Sequence, residues 1–241
     1  MNLDIGKAFT FPMEDQKWVA KLAIGGGLIL AGIITIVGWL FTFPVVFGYL
    51  AMLTRNVING NLQPLPEWDN WGERWIEGVK MFVVGLVYSL PVIILRVVLT
   101  VPGAILANSS NNGVATTGGV LNLAGGCLSF ILQLAVAVVL PAALARFAVS
   151  GSIGDGLKFA EVFATVRQNI GMYVVVALMS TFVAGFIGGI GVIACFVGAA
   201  FTSFYAYLMT FHLYGQAYRN TQGAPIGYGQ QPPMYGEPRP F

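Results

Sequence analysis

Long apolar runs, separated by short clusters of charge, organise this chain. Residues 22–54, 97–145 and 168–218 contain no Lys, Arg, Asp or Glu, and 81–95 form a shorter uncharged run between Lys80 and Arg96. A helix of about 20 apolar residues crosses a hydrocarbon core of roughly 30 Å. The run 168–218 is long enough for two crossings, with Gly188, Gly189 and Gly191 as the turn, which predicts helices over 171–188 and 192–216. The polar, uncharged stretch 107–119 reads as a loop between helices over 79–106 and 120–146. The first run is long for one span and short for two. With its flanks it predicts helices over 19–38 and 42–58 around a turn near Gly38 to Pro44, as two short crossings or as a re-entrant hairpin.

Shorter segments carry a different pattern. In Glu67–Lys80, residues Trp68, Trp71, Trp75 and Val79 share one helical face, while Glu73, Glu77 and Lys80 lie away from it. Over 156–169, Phe159, Phe163, Val166 and Ile170 line one face, and Lys158, Glu161, Thr165 and Gln168 the other. Pro12, with Glu14 and Asp15 after it, opens a third such segment. Amphipathic helices over 12–18, 67–78 and 156–169 are expected along one membrane interface, where Trp rings prefer to sit.

Composition agrees with the pattern. Of 241 residues 56% are apolar and only 9% charged, against about 25% charged in soluble domains, and the mean hydropathy is +0.76. These values exclude a soluble globular enzyme, and the net charge of +2 gives no footprint for nucleic acid. Eleven of the twelve basic residues (all but Arg96) fall at one end of the predicted helices, and the opposite turns carry none. By the positive-inside rule both termini are cytoplasmic. The N-terminal apolar run is too long, and its flank too acidic, for a signal peptide. Arg55 precedes Gly60 by the same spacing as Arg146 precedes Gly151, and Tyr218-Arg219-Asn220 echoes Thr54-Arg55-Asn56. A basic last turn followed by Gly or Asn is how a helix C-terminus is stabilised.

The segments Tyr49–Gly60, Leu65-Pro-Glu-Trp-Asp-Asn-Trp-Gly72 and Glu77-Gly-Val-Lys80, with the opening Asp4–Pro12, carry a family resemblance. The chain resembles, over most of residues 4–215, a group of bacterial and archaeal multi-pass membrane proteins known as a domain of unknown function, marked by a Pro-Glu-Trp-Asp-x-Trp-Gly element. The resemblance implies a prokaryotic plasma-membrane protein and supplies no activity.

Candidate chemistry is sparse. Arg96 is the one charge inside a span, where a charge is a functional hypothesis by default. His212 is the sole histidine and has no Asp or Glu nearby in sequence for a zinc site or a triad. Ser203, Tyr207, Thr210, Tyr214 and Tyr218 form a helical polar stripe, with Gln133 as a partner from the fourth helix. Cys127 and Cys195 both lie in apolar runs and read as packed thiols. For partner binding the candidates are Trp68, Asp69, Trp71, Glu73 and Trp75, with Tyr228 and Tyr235 in a Pro/Gly/Gln/Tyr-rich tail that cannot bury a core of its own.

The expectation is therefore an all-α integral membrane protein. Residues 1–218 form one six-helix bundle, its first hairpin crossing or re-entrant, with cytoplasmic interfacial helices, and 219–241 form a cytoplasmic tail. It is expected to be non-enzymatic, without cofactor or metal. Its expected partners are the lipid bilayer and membrane or cytoplasmic proteins, as an accessory or scaffolding subunit. The alternative is a small-molecule or lipid channel or transporter without ion coupling.

Overall fold

The computed structural model describes residues 3–193 and 195–222. Among them every regular element is helical: α1 (Ile5–Thr10), a 3-10 turn (Phe11–Glu14), α2 (Trp18–Ile34), α3 (Ile36–Ile58), α4 (Trp71–Ala107), α5 (Asn112–Ser150), α6 (Ile153–Gly156), α7 (Phe159–Gln168), α8 (Ile170–Ile193) and α9 (Cys195–Thr221). Four helices are long and apolar enough to cross a membrane: Gly38–Ile58 within α3, α4, α5 and Ile170–Val192 within α8. A fifth candidate is the pair Ile5–Glu14 and α2, bent by 102° at the intervening break. α4 and α5, of 37 and 39 residues, extend about 55 Å or more at 1.5 Å per residue.

Six spans are expected from the sequence; four helices, or five with the bent pair, are long and apolar enough among the described residues, α9 is not one of them, and the expected turns are displaced. The first lies at Thr35, which is extended (φ −115, ψ 110), and not over Gly38–Pro44. Pro44 is instead inside α3. A helical proline orphans the carbonyl four residues back, and the Trp75 indole N–H donates to the Leu40 carbonyl at 3.3 Å. The expected loop over 107–119 shrinks to 108–111, because the Asn111 side chain accepts from the Gly113 and Val114 amides and starts α5 there. The glycines beyond it serve packing: Gly118 faces the backbone of Ala107 and Gly103. Likewise α8 runs through Gly188–Gly191 to Ile193, and Gly191 admits Ala199 and Thr202 of α9.

The amphipathic segments also differ. Residues 12–17 form the 3-10 turn and a bend, with Trp18 opening α2, and within 156–169 the helix is the shorter α7 (Phe159–Gln168), Gly156 being the last residue of α6. The stretch 67–78 splits, with 67–70 non-helical and 71–78 the first turns of α4. The tail from 223 onward, with Tyr228 and Tyr235, lies outside the described residues.

The core is built where α3, α4, α5, α8 and α9 converge, around Tyr49, Leu50, Leu53, Met81, Val84, Phe147, Tyr173, Phe204 and Leu208. Glycine lets the helices meet backbone to backbone. A Cβ on Gly78 would stand 2.8 Å from the Gly48 nitrogen, so α3 and α4 touch at these two positions. Phe204 and Phe201 of α9 lie over Gly25 and Gly26 of α2. By contrast, only 17% of the most apolar window of α4 is buried.

Candidate functional site: the ion-paired end and its cavity

The charged end is organised by the loop after α3. Gly60 (φ +77) closes that helix. Its amide donates to Val57, and the Asn61 amide to Asn56, at 3.0 Å each, which is a Schellman closure. The loop then buries Pro64, Leu65 and Pro66. Their three successive carbonyls accept from three side chains: Asn56 Nδ2 at 2.9 Å, Lys21 Nζ at 3.2 Å and the Tyr49 hydroxyl at 3.0 Å. Buried carbonyls need such partners, and this loop has no sheet or helix to supply them. Trp68 stacks on Tyr49 at 4.1 Å and donates its indole N–H to the Lys21 carbonyl at 3.0 Å. The Pro-Glu-Trp-Asp element thus ties α2, α3 and α4 together.

Ion pairs surround this knot. Lys21, 4% exposed, bridges Asp15 at 2.6 Å and Glu67 at 3.1 Å. Burial pushes the Asp15 carboxyl up, but the Lys21 hydrogen bond, the Lys17 amide and the two ammonium charges outweigh it. The net result lies below the usual carboxylate range. Arg74 pairs with Asp69 at 2.8 Å and also reaches Met52 Sδ. Arg55 pairs with Glu77 at 2.9 Å and donates to the Ala148 carbonyl in the last turn of α5. Arg219 of α9 lies against Gly60 at the end of α3. One helix's terminal arginine therefore meets the negative end of its neighbour's dipole, twice over. Arg146 pairs with Glu161, and Lys158 with Asp155 at 2.7 Å. The Lys158 hydrogen bond draws the Asp155 carboxyl down, and the same contact raises the Lys158 ammonium.

Beside this network is a cavity of about 460 Å³ between α1, the Gly60–Pro64 loop and the end of α9. Lys7, Asn61, His212, Gln216, Arg219 and Asn220 supply its polar wall. Gln216 exchanges two hydrogen bonds with the Asp4 backbone (2.8 and 2.9 Å), and its amide also donates to His212 Nδ1 at 3.0 Å. This network assigns the imidazole proton to Nε2. His212 stacks on Phe11 at 4.2 Å, and the Tyr205 hydroxyl donates to the Phe9 carbonyl at 2.6 Å. Tyr205, His212 and Gln216, on one face of α9, hold α1 in place.

The structure gathers some expected site residues and scatters others. Trp68 turns inward, also meeting Trp71 at 5.8 Å and Phe204 at 6.0 Å. Trp71, Glu73 and Trp75 are exposed, and Asp69 is exposed but held by Arg74. Thr210 and His212 are buried, and Tyr207 and Tyr214 half-buried. Tyr214 packs on Phe211 at 5.2 Å, and of these four only His212 lines the cavity. Gln133 is exposed on α5 and makes no hydrogen bond to this stripe. Arg96 is exposed on α4 and forms no ion pair among the described residues. Lys21, Tyr49, Asn56 and Gln216 were missed. Their roles depend on contacts with segments far along the chain; a lysine at the mouth of an apolar run, with no acid within a helical turn, was the only local sign.

Among the described residues no three of His, Cys, Asp and Glu converge as metal ligands. No curated protein and no solved structure matches the chain. A family model described as a protein of unknown function, DUF4013, matches residues 27–197, from within α2 to the start of α9. That match covers well over half of the 241 residues, and the chain belongs to the DUF4013 family of proteins of unknown function.

Proposed function

We propose that this chain is a non-enzymatic, multi-pass subunit of a larger membrane assembly. In this reading it crosses a prokaryotic plasma membrane six times, as three hairpins (α2/α3, α4/α5, α8/α9), with both termini cytoplasmic. The breaks at 35 and 108–111 contain no charged residue, the sequence between α8 and α9 carries none, and the ion pairs among the described residues lie near the opposite helix ends. α2, at 17 residues, and the polar-striped α9 are the weakest crossings, and the hairpin pairing supports them. The exposed Trp71 and Trp75 and the amphipathic α7 fit the cytoplasmic interface.

One observation carries the subunit reading. Arg96 has no ion pair among the described residues and stands on an exposed apolar face, with Ile93, Ile94, Val97, Val98 and Val101 around it. An unpaired charge there is costly and calls for an acid. This chain has no Asp or Glu between Glu77 and Asp155. A second copy in the same orientation therefore brings no carboxylate to that depth, whereas a different membrane helix does. Purification from native membranes in mild detergent should return a stoichiometric companion protein. Arg96→Gln should lose it while keeping its own elution position, and deletion of 223–241 should weaken cytoplasmic contacts. A chain that purifies alone from native membranes sinks this reading. The cavity beside His212 favours a second reading, a carrier for a small polar solute, which predicts uptake into vesicles holding this chain alone.

A further inference from the structure

The geometry points to a binding site for one anionic phospholipid in the groove between α5, α7 and α8, with an acyl chain in the groove and the phosphate on Arg167. The groove, about 430 Å³, is lined by Ala135, Val138 and Val139 of α5, Phe163, Val166 and Arg167 of α7, and Ile170 and Val174 from the start of α8. Its origin is local. α7 buries Val162 and Val166 against the bundle and leaves Phe163 exposed. Asn169 (φ −131, ψ 36) then bends the chain into α8, so that Phe163, Ile170 and Val174 form a wall facing α5. On α5 the small Ala135 leaves the floor open.

The lining selects the occupant. Apart from Arg167, it presents seven apolar side chains and almost no polar surface. An extended peptide there would bury its N–H and C=O groups without partners, at a cost of kcal/mol per group. A helix satisfies its own backbone, but about one turn of a rod some 10 Å across fills the whole volume. An acyl chain has no polar groups to satisfy. At the rim, Arg167 is exposed and forms no ion pair among the described residues, while the nearby acids are engaged, Glu161 by Arg146 and Asp155 by Lys158. Its planar fork suits phosphate oxygens. α7 is amphipathic and carries Lys158 and Arg167 at its two ends, as expected of a helix lying along an anionic interface.

The test is native mass spectrometry of the full chain in mild detergent, titrated with phosphatidylglycerol or with phosphatidylcholine. One phosphatidylglycerol should be retained per chain in preference to phosphatidylcholine. Arg167→Gln should weaken it about fivefold, the effect of one basic residue near an anionic surface, and leave phosphatidylcholine unchanged. Ala135→Trp, at an exposed position, should fill the groove and lower both. Lys80→Gln, outside the groove, should change neither. Phosphatidylglycerol with a diazirine-bearing acyl chain, in phosphatidylcholine vesicles, should crosslink within 135–139 or 163–174. Equal retention of the two lipids, equal loss in Lys80→Gln, or crosslinks only elsewhere would overturn the site.

Discussion

Replacing Gly78 with alanine tests the packing of the bundle at its tightest point. A Cβ there would stand 2.5 Å from the Pro44 carbonyl carbon and 2.8 Å from the Gly48 nitrogen, where ordinary contact begins at 3.4 Å. These atoms, and the still nearer Pro44 carbonyl oxygen, are all backbone, so no side chain can swing aside and α3 and α4 must part. Overpacking of this kind costs about 1–3 kcal/mol. The upper end applies here, because the Arg55–Glu77 pair and the Arg74 contact with Met52 span the same α3–α4 crossing and would be stretched with it. Gly72 and Gly85 lie on the same helix with nothing within 4 Å of an added Cβ. Alanine there should be neutral or stabilising by up to ~1 kcal/mol, from helix propensity alone. The assay is thermal unfolding in detergent, followed by size-exclusion chromatography of a fluorescent fusion. Gly78→Ala should melt several degrees below wild type while Gly72→Ala and Gly85→Ala do not. Equal behaviour of the three variants would refute the backbone contact.

Other substitutions probe the charged end. Asp15→Asn leaves the buried Lys21 ammonium with Glu67 as its one carboxylate among the described residues, and should cost about 3 kcal/mol in the same melt. The folded Asp15 carboxyl titrates below its ordinary 3.8. Its contribution is therefore complete above that value and disappears as pH falls through the depressed one. Wild type should lose stability over that acid window more steeply than Asp15→Asn. Tyr49→Phe removes the hydroxyl from the Pro66 carbonyl, and should cost about 1–2 kcal/mol. Gly60→Ala should be worse than Gly151→Ala. Both have positive φ, which costs roughly 1–2 kcal/mol with a Cβ, but only at Gly60 does the added carbon press on a guanidinium, that of Arg219, at under 3 Å.

Much of this architecture was legible because charge position alone outlines the apolar helices. The Arg55-to-Gly60 and Arg146-to-Gly151 spacings also marked the two left-handed glycines that end α3 and α5. The breaks were misplaced for one shared reason. Glycine and proline read as turns in isolation, yet Pro44, Gly118 and Gly191 sit inside helices, because a neighbouring segment fills the space or satisfies the carbonyl they leave. The sequence puts Trp68 on an interfacial helix, whereas the structure turns it inward. Its partners, Lys21 and Tyr49, lie 47 and 19 positions away, and no local periodicity encodes them. The face of α7 was half legible: Val166 is buried, but Val162 is its partner there, while Phe159 and Phe163 stay exposed, Phe159 beside Tyr88 and Phe163 on the groove wall.

The claim beneath all of this is that the ion-paired ends and the 108–111 turn lie on opposite sides of a membrane. In a chain freed of its own cysteines, Ser109→Cys and Gln168→Cys can be probed with an impermeant maleimide on sealed cells and again after permeabilisation. The account predicts labelling of residue 109 in sealed cells and of residue 168 only once the membrane is opened. Labelling of both positions from the same side would contradict it.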